Sequence, residues 1–306
     1  MLREPVFLLS IAPFLKYPYY RHMEKHITCI YHKDCIDGTS ATAVVLKKFP
    51  HAQTFPLAHN YTPEEIDTVL DLTDTSAHIY IVDTTVGLTE CLTRGHQVTI
   101  IDHHISEHTR INDIMSRYAN LDYIFDNTKS GTSLAWSYLF PDTPAPTLVP
   151  HIEDNDLWKK QLGENTEHIT NYLSLWNNDP HAIVPLFDVA LADIVEKGRM
   201  LTTYARTMVG RYILLEPITL RIGQHDVLAY NITDYQSACG NALAHQNGGA
   251  VALYTIIGNA VKFSFRSLST HEPSALDLAT ALGGGGHRNA SGASIPLSDF
   301  ISRIQR

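Results

Sequence analysis

Between residues 27 and 101 short apolar runs alternate with longer amphipathic ones, and this alternation limits the chain to few architectures. Residues 27–31, 52–57, 79–82 and 98–101 have the length and apolar content of strands. Residues 38–49, 63–72 and 88–94 repeat their apolar positions with helical period. Strand and helix in turn build βαβ units, which require a largely parallel sheet. Ligands of such sheets collect just beyond the carboxyl ends of the strands. Three of the strands run into polar clusters there: residues 32–37, then Asp83, then Asp102, His103 and His104. The clusters are therefore expected along one edge of the sheet.

Further on, residues 130–178 read as mainly helical with a proline-rich break at 141–150, and residues 184–211 as a long helix carrying no chemistry. Strand periodicity returns at 218–222, 227–231, 251–257 and 261–266, accompanied by helices at 238–245 and 274–282. The chain has 306 residues, more than one ordinary domain needs. We expect an α/β domain over 23–186, a linker helix over 187–213 and a smaller α/β domain over 214–306. Residues 1–22 read as an extension or start-site artefact, with a weak signal peptide as the alternative, because Pro13 breaks their apolar stretch.

The formal charge of −9 disfavours a protein that grips long nucleic acid by its backbone, but not one that holds a short oligonucleotide or dinucleotide in a cleft. Cys29, Cys35, Cys91 and Cys239 are scattered without zinc-ribbon or disulfide spacing, which fits a reducing compartment. No apolar run reaches the roughly 20 residues of a membrane span.

Y-H-K-D-C-I-D-G at 31–38 puts an imidazole and two carboxylates into a strand-to-helix turn, where carboxylates also serve as caps. Asp83 ends an apolar strand, a position equally suited to an N-cap. T-I-I-D-H-H at 99–104 is harder to explain by packing, since an acid and two adjacent imidazoles at a strand end form a ligand set for manganese or a similar ion. I-E-D-N-D-L-W at 152–158 adds another acidic turn. Together the clusters hold enough ligands for two metals, which at about 3.5–4 Å apart clamp the attacking and leaving oxygens of a phosphoryl displacement.

The motif Asp102-His103-His104, preceded by the 32–38 cluster and Asp83, resembles that of the DHH phosphoesterase superfamily. G-G-G-G-H-R-N-A-S-G at 283–292 resembles the glycine-rich motif of its associated substrate-binding domain, first type. Y-H-x-x-C-x-D-G followed by D-x-D-L-W is most similar to the NrnB-like oligoribonucleases or cyclic-nucleotide phosphodiesterases. The resemblance implies a parallel-sheet catalytic domain joined by a helical linker to a smaller α/β substrate-binding domain. It implies metal ligation by His32, Asp34, Asp37, Asp83, His103 and Asp154, with Asp83 bridging two ions, Mn²⁺ first and Mg²⁺ or another divalent ion as the alternative. Asp102 would orient ligands, and His104 would stand at the scissile phosphate. Arg266, Gly284, Gly285, Gly286 and His287 would hold the nucleotide end of the substrate. Cys35 departs from the pattern, since other branches place an aspartate there. In order of preference, Asp34 takes over the ligand role, Cys35 ligates as thiolate, or the first site is weak. The implied activity is cytoplasmic hydrolysis of short single-stranded oligonucleotides to mononucleotides, with a second copy of the chain as partner and no membrane. Cyclic nucleotides or dinucleotides are the alternative substrates, and a non-catalytic nucleotide-binding protein is the alternative of another kind.

Overall fold

The computed structural model describes residues 26–305, so the extension expected at 1–22 lies outside the described residues. The chain divides into two compact units, Met1–Ala145 and Pro146–Arg306. The division at 145/146 comes earlier than the sequence boundary at 186/187, and the helix expected as a linker belongs to the second unit. Among the described residues no helix is long and apolar enough to cross a membrane.

The first unit runs β1 (Ile27–His32), α1 (Ile36–Lys48), β2 (Gln53–Leu57), α2 (Pro63–Leu72), β3 (His78–Val82), α3 (Leu88–Thr93), β4 (Gln97–Asp102), α4 (Ile105–Met115), β5 (Leu121–Phe125) and α5 (Gly131–Leu139). All pairings in its sheet are parallel, in the order β2-β1-β3-β4-β5. Ile30, Ile79, Ile81, Val98 and Ile100 are fully buried, because helices cover both faces of a parallel sheet and leave no polar side to alternate with. The chain moves outward from β1 to β2, then returns past β1 to begin β3. That reversal opens a crevice between the carboxyl ends of β1 and β3, which is where ligands of such sheets bind. Local signals agree with the pattern. At α2, Thr62 and Glu65 form a reciprocal capping box ahead of Pro63. The apolar pattern of the sequence places neither α4 nor β5.

The second unit opens with helices α6 (Leu148–Asp156), α7 (Glu164–Leu173), α8 (Pro180–Ile183) and α9 (Leu191–Tyr212). Gly198 lets α9 lie against the His168 carbonyl of α7, and the His168 ring meets Thr202 Oγ1 at 2.9 Å. There follow β6 (Ile218–Ile222), β7 (His225–Asn231), α10 (Gln236–Asn247), β8 (Val251–Ile257), β9 (Ala260–Arg266), α11 (Ala275–Thr280), β10 (Gly285–His287), β11 (Ala290–Pro296) and α12 (Leu297–Arg303). Their sheet, β10-β11-β9-β8-β7-β6, is antiparallel except between β7 and β8, which α10 connects. One face packs Leu220, Val261, Phe265 and Leu278, and the other Tyr230, Cys239, Leu243 and Leu253. The fold is thus α/β with a parallel five-stranded sheet and a second, mixed sheet. The glycine run is less loop-like than its composition suggests, since half of it enters β10.

Candidate metal centre

Beyond β1 the chain turns through Asp34, at φ +60, and enters α1 behind Cys35. Asp37, in the first turn of α1, accepts hydrogen bonds from the backbone N–H groups of Gly131 (2.6 Å) and Thr132 (3.0 Å). It thereby satisfies two of the donors that every helix start, here that of α5, leaves open. Two glycines permit this approach. A Cβ on Gly38 would stand 2.9 Å from the His32 carbonyl oxygen and 3.1 Å from Asp83 Oδ2, and one on Gly131 would stand 2.9 Å from Asp37 Oδ2.

Asp83 follows β3 in left-handed backbone, φ +56, with its N–H donating to the Ile101 carbonyl at 2.9 Å. Such strain in a non-glycine residue persists only where its surroundings impose it. Oδ1 of Asp83 lies 3.1 Å from His103 Nε2, and Oδ2 lies 3.9 Å from His32 Nδ1. His103 Nε2 is also 3.9 Å from Asp37 Oδ2. Asp102, the last residue of β4, accepts a 2.7 Å bond from His104 Nδ1, so Nδ1 carries the proton and Nε2 points away from that carboxylate. The His103 and His104 rings meet with centroids 4.4 Å apart.

Three carboxylates, Asp37, Asp83 and Asp102, are thus 2 % exposed or less within one small cluster. Burial and the nearby Asp37 charge push the Asp83 pKa well above the usual carboxylate range. Burial, reinforced by His59 and His104, pulls His32 down to about 4, which leaves a neutral imidazole at pH 7. On His104 burial opposes charge, but the hydrogen bond and charge of Asp102 outweigh it and raise the pKa. Oδ2 of Asp83 and Oδ2 of Asp102 are buried without a hydrogen-bond partner among the described residues. A divalent cation would answer both the charge and the open oxygens, and neutral imidazole beside carboxylate suits it. Ligand atoms of Asp83, Asp102, His103 and His104 lie within 4.8 Å of one another, as do those of His32, Cys35 and Asp83. Asp83 belongs to both sets.

The fold therefore gathers His32, Asp37, Asp83, Asp102, His103 and His104. Asp34 is exposed in its turn, and the ligand set at that end contains Cys35 instead. Asp154 lies on α6 in the second unit. Its carboxylate accepts from Gln161 N (2.7 Å), Leu162 N (3.3 Å) and Thr166 Oγ1 (2.8 Å). Burial opposes its ionisation, but those bonds prevail and lower its pKa. What Asp154 visibly does is tie the segment after α6 to that helix. His59, just past β2, stacks on His32 at 4.3 Å between centroids. Sequence reasoning misses it, although the strand-end rule that marks the other clusters applies equally to β2.

In the second unit the register aligns Arg266 of β9 with Ala290 of β11, and Ala290 with His287 of β10. Residues paired across strands share a face, so Arg266 and His287 leave the sheet on the same side. Hydrogen bonds from the Arg266 guanidinium to Ser264 Oγ (2.9 Å) and Ser237 Oγ (2.8 Å) hold it in place. Gly284 admits the Gly292 carbonyl where a Cβ would collide, and Gly286, at φ +139, lies against Ser291. Those two glycines serve the β10–β11 pairing, whereas Gly285 faces open space.

The first unit's parallel sheet delivers carboxylates and imidazoles from β1, β3 and β4 to one crevice, and a mixed-sheet unit containing a glycine-rich hairpin follows it in the chain. Residues 229–306 match the DHHA1 domain. Uncharacterized protein R106 of Acanthamoeba polyphaga mimivirus is 26 % identical over 218 residues, 67 % of this chain, and the match spans about half (49 %) of that curated relative. RecJ in complex with Mn²⁺ from Thermus thermophilus has a similar fold, with TM-score 0.53 and 14 % identity over 91 % of this chain and 50 % of that one. A second solved structure, exonuclease RecJ bound to manganese, gives a TM-score of 0.51 and 16 % identity over 91 % of this chain and 88 % of that one. The likeness to these two structures is one of fold, and the match to the DHHA1 domain is confined to residues 229–306.

Proposed function

We propose that this chain is a metal-dependent phosphodiesterase that hydrolyses short single-stranded oligonucleotides to mononucleotides. The observation that carries the reading is the buried cluster in which Asp83, strained and short of hydrogen bonds, belongs to two ligand sets at once. His32, Asp37, Asp83 and His103 would hold divalent ions, Mn²⁺ in this reading and Mg²⁺ or a similar ion otherwise. Such ions activate water and offset charge on a phosphate under attack. The resemblance also implies Asp34 and Asp154 as ligands; Asp34 is exposed in the turn after β1, and Asp154 accepts from Gln161 N, Leu162 N and Thr166 Oγ1.

The protein's own groups do the rest. Asp102 fixes the His104 ring and favours its charged form, so Nε2 can donate to a phosphate oxygen as negative charge grows there. Arg266 and His287, on one face of the second sheet, offer donors for a terminal phosphate, and Arg266 is pre-oriented by two serines. A net charge of −9 favours few-phosphate substrates over long duplex. The test is turnover with Mn²⁺ on a panel of di- to pentanucleotides, cyclic nucleotides, a cyclic dinucleotide and pyrophosphate. Release of mononucleotides from the linear oligomers is expected. Turnover confined to cyclic substrates would overturn the substrate assignment. No turnover with metal bound would overturn the enzyme in favour of a nucleotide-binding protein.

A further inference from the structure

We propose that Cys35 is a metal ligand, so that the set His32, Cys35 and Asp83 takes a softer divalent ion such as zinc or cobalt in preference to manganese. The inference rests on the phosphodiesterase reading above, adds a ligand to it, and replaces Mn²⁺ by a softer ion in this one of the two ligand sets that share Asp83.

Three observations carry it. Ligand atoms of His32, Cys35 and Asp83 converge within 4.8 Å, and no candidate ligand set among the described residues includes the neighbouring Asp34. Oδ2 of Asp83, on a residue 1 % exposed, has no hydrogen-bond partner and lies 3.9 Å from His32 Nδ1, so a buried acceptor faces this site. Finally, Cys35 holds the N-cap position of α1 in extended backbone, φ −114 and ψ 131, yet its side chain makes no capping hydrogen bond. Sulfur is a poor cap, and serine, threonine, asparagine or aspartate would stabilise that helix start better. A thiolate there gains instead from the open N–H groups of the first turn. The Thr39 hydroxyl donates to the Cys35 carbonyl at 2.7 Å, and the Cys35 side chain hydrogen-bonds the Asp83 carboxylate, which puts the sulfur in the cluster.

Ion binding replaces the S–H bond by a metal–sulfur bond and releases that proton to solvent. A nitrogen, sulfur and oxygen donor set shifts selectivity away from hard ions, since thiolate favours zinc over manganese or magnesium. The other cysteines leave the assignment unambiguous: Cys29, Cys91 and Cys239 are all fully buried in the cores of their units.

The experiment titrates the metal-free full chain with Co²⁺ alone, following the near-ultraviolet thiolate-to-cobalt charge-transfer absorption, with calorimetry to count bound ions. The band is expected in wild type and in Asp34→Ala, and is expected to vanish in Cys35→Ser and Cys35→Asp. Cys35→Ser should weaken cobalt binding by at least the roughly 10- to 100-fold that even the outer partners of a metal ligand are worth. Cys35→Asp should still bind metal, with its preference moved toward Mn²⁺, which shows that the site remains folded. Cobalt bound by wild type without the band, or a band that survives in Cys35→Ser, would overturn the proposal. Neither outcome depends on turnover, so a failure of the phosphodiesterase reading is seen separately. A chain that binds no cobalt at all would overturn both the centre and the ligand.

Discussion

Asp83 meets three demands that few residues could meet together. It must tolerate φ +56, accept burial, and offer oxygens to partners on two sides. Short polar side chains tolerate left-handed backbone best, so Asp83→Asn keeps the geometry while removing the charge. We expect Asp83→Asn and His103→Ala each to abolish metal-dependent hydrolysis with the chain still folded, which turnover and circular dichroism together check. In the metal-free chain at neutral pH Asp83→Asn should be the more stable protein, because it removes a carboxyl whose ionisation burial and the Asp37 charge oppose in the folded state but not in the unfolded one. Relief of about 1 kcal/mol would raise Tm by about 2–4 °C, read by thermal unfolding in chelator, and that gain should disappear when metal is added. Arg266 and His287 are proposed to hold the nucleotide end of the substrate. Arg266→Ala and His287→Ala should raise KM for oligonucleotides by roughly 10- to 100-fold, the worth of a charge-assisted hydrogen bond. A nitrophenyl phosphodiester, with no nucleotide end to hold, should be far less affected. Equal loss on both substrates would remove these residues from recognition.

At the scale of elements, close backbone approach does much of the positioning. Where α5 begins, a Cβ on Gly131 would press on both Asp37 Oδ2 and Asp83 Cβ, at 2.9 and 3.0 Å. Gly131→Ala should therefore weaken metal binding through those two carboxylates while leaving the helix intact. Gly198→Ala offers the contrast. It would force α7 and α9 apart at a cost of about 1–3 kcal/mol and leave metal affinity unchanged, so calorimetry and denaturant unfolding on the two variants separate site geometry from packing. The elements themselves were unevenly legible. Strands β1, β3 and β4 show as apolar runs because both of their faces are covered, and β2, at one sheet edge, buries only Leu57. β5 sits at the sheet edge and buries only Leu121 fully, so its pattern is weak. α4 starts at His104 without a capping side chain, and β10 is two glycines and a histidine, residues with little intrinsic strand preference. Their structure comes from neighbours already in place.

Over the whole molecule the balance of charge sets the range of partners. With −9 overall and few cations proposed for phosphate, log K for a short oligonucleotide should fall with log salt by a slope of about 2 or less in magnitude. A measured slope near 6 would indicate an extended backbone interface and overturn the short-substrate reading. Metal should stabilise the folded chain by mass action, about 2.7 kcal/mol at 100 times its Kd, seen as a rise in Tm that chelator reverses. By itself the sequence determined the alternation that makes the first sheet parallel and the placement of acids and imidazoles at strand ends. These are properties of local period and of order along the chain. Only the tertiary structure decided which of those groups share a site. It put Asp37 on α5 and Asp83 against His32, Cys35 and His103. Convergence depends on how far apart the chain's turns come to rest, and a turn of one residue more or less, as at Asp34 and Cys35, changes which side chain faces inward.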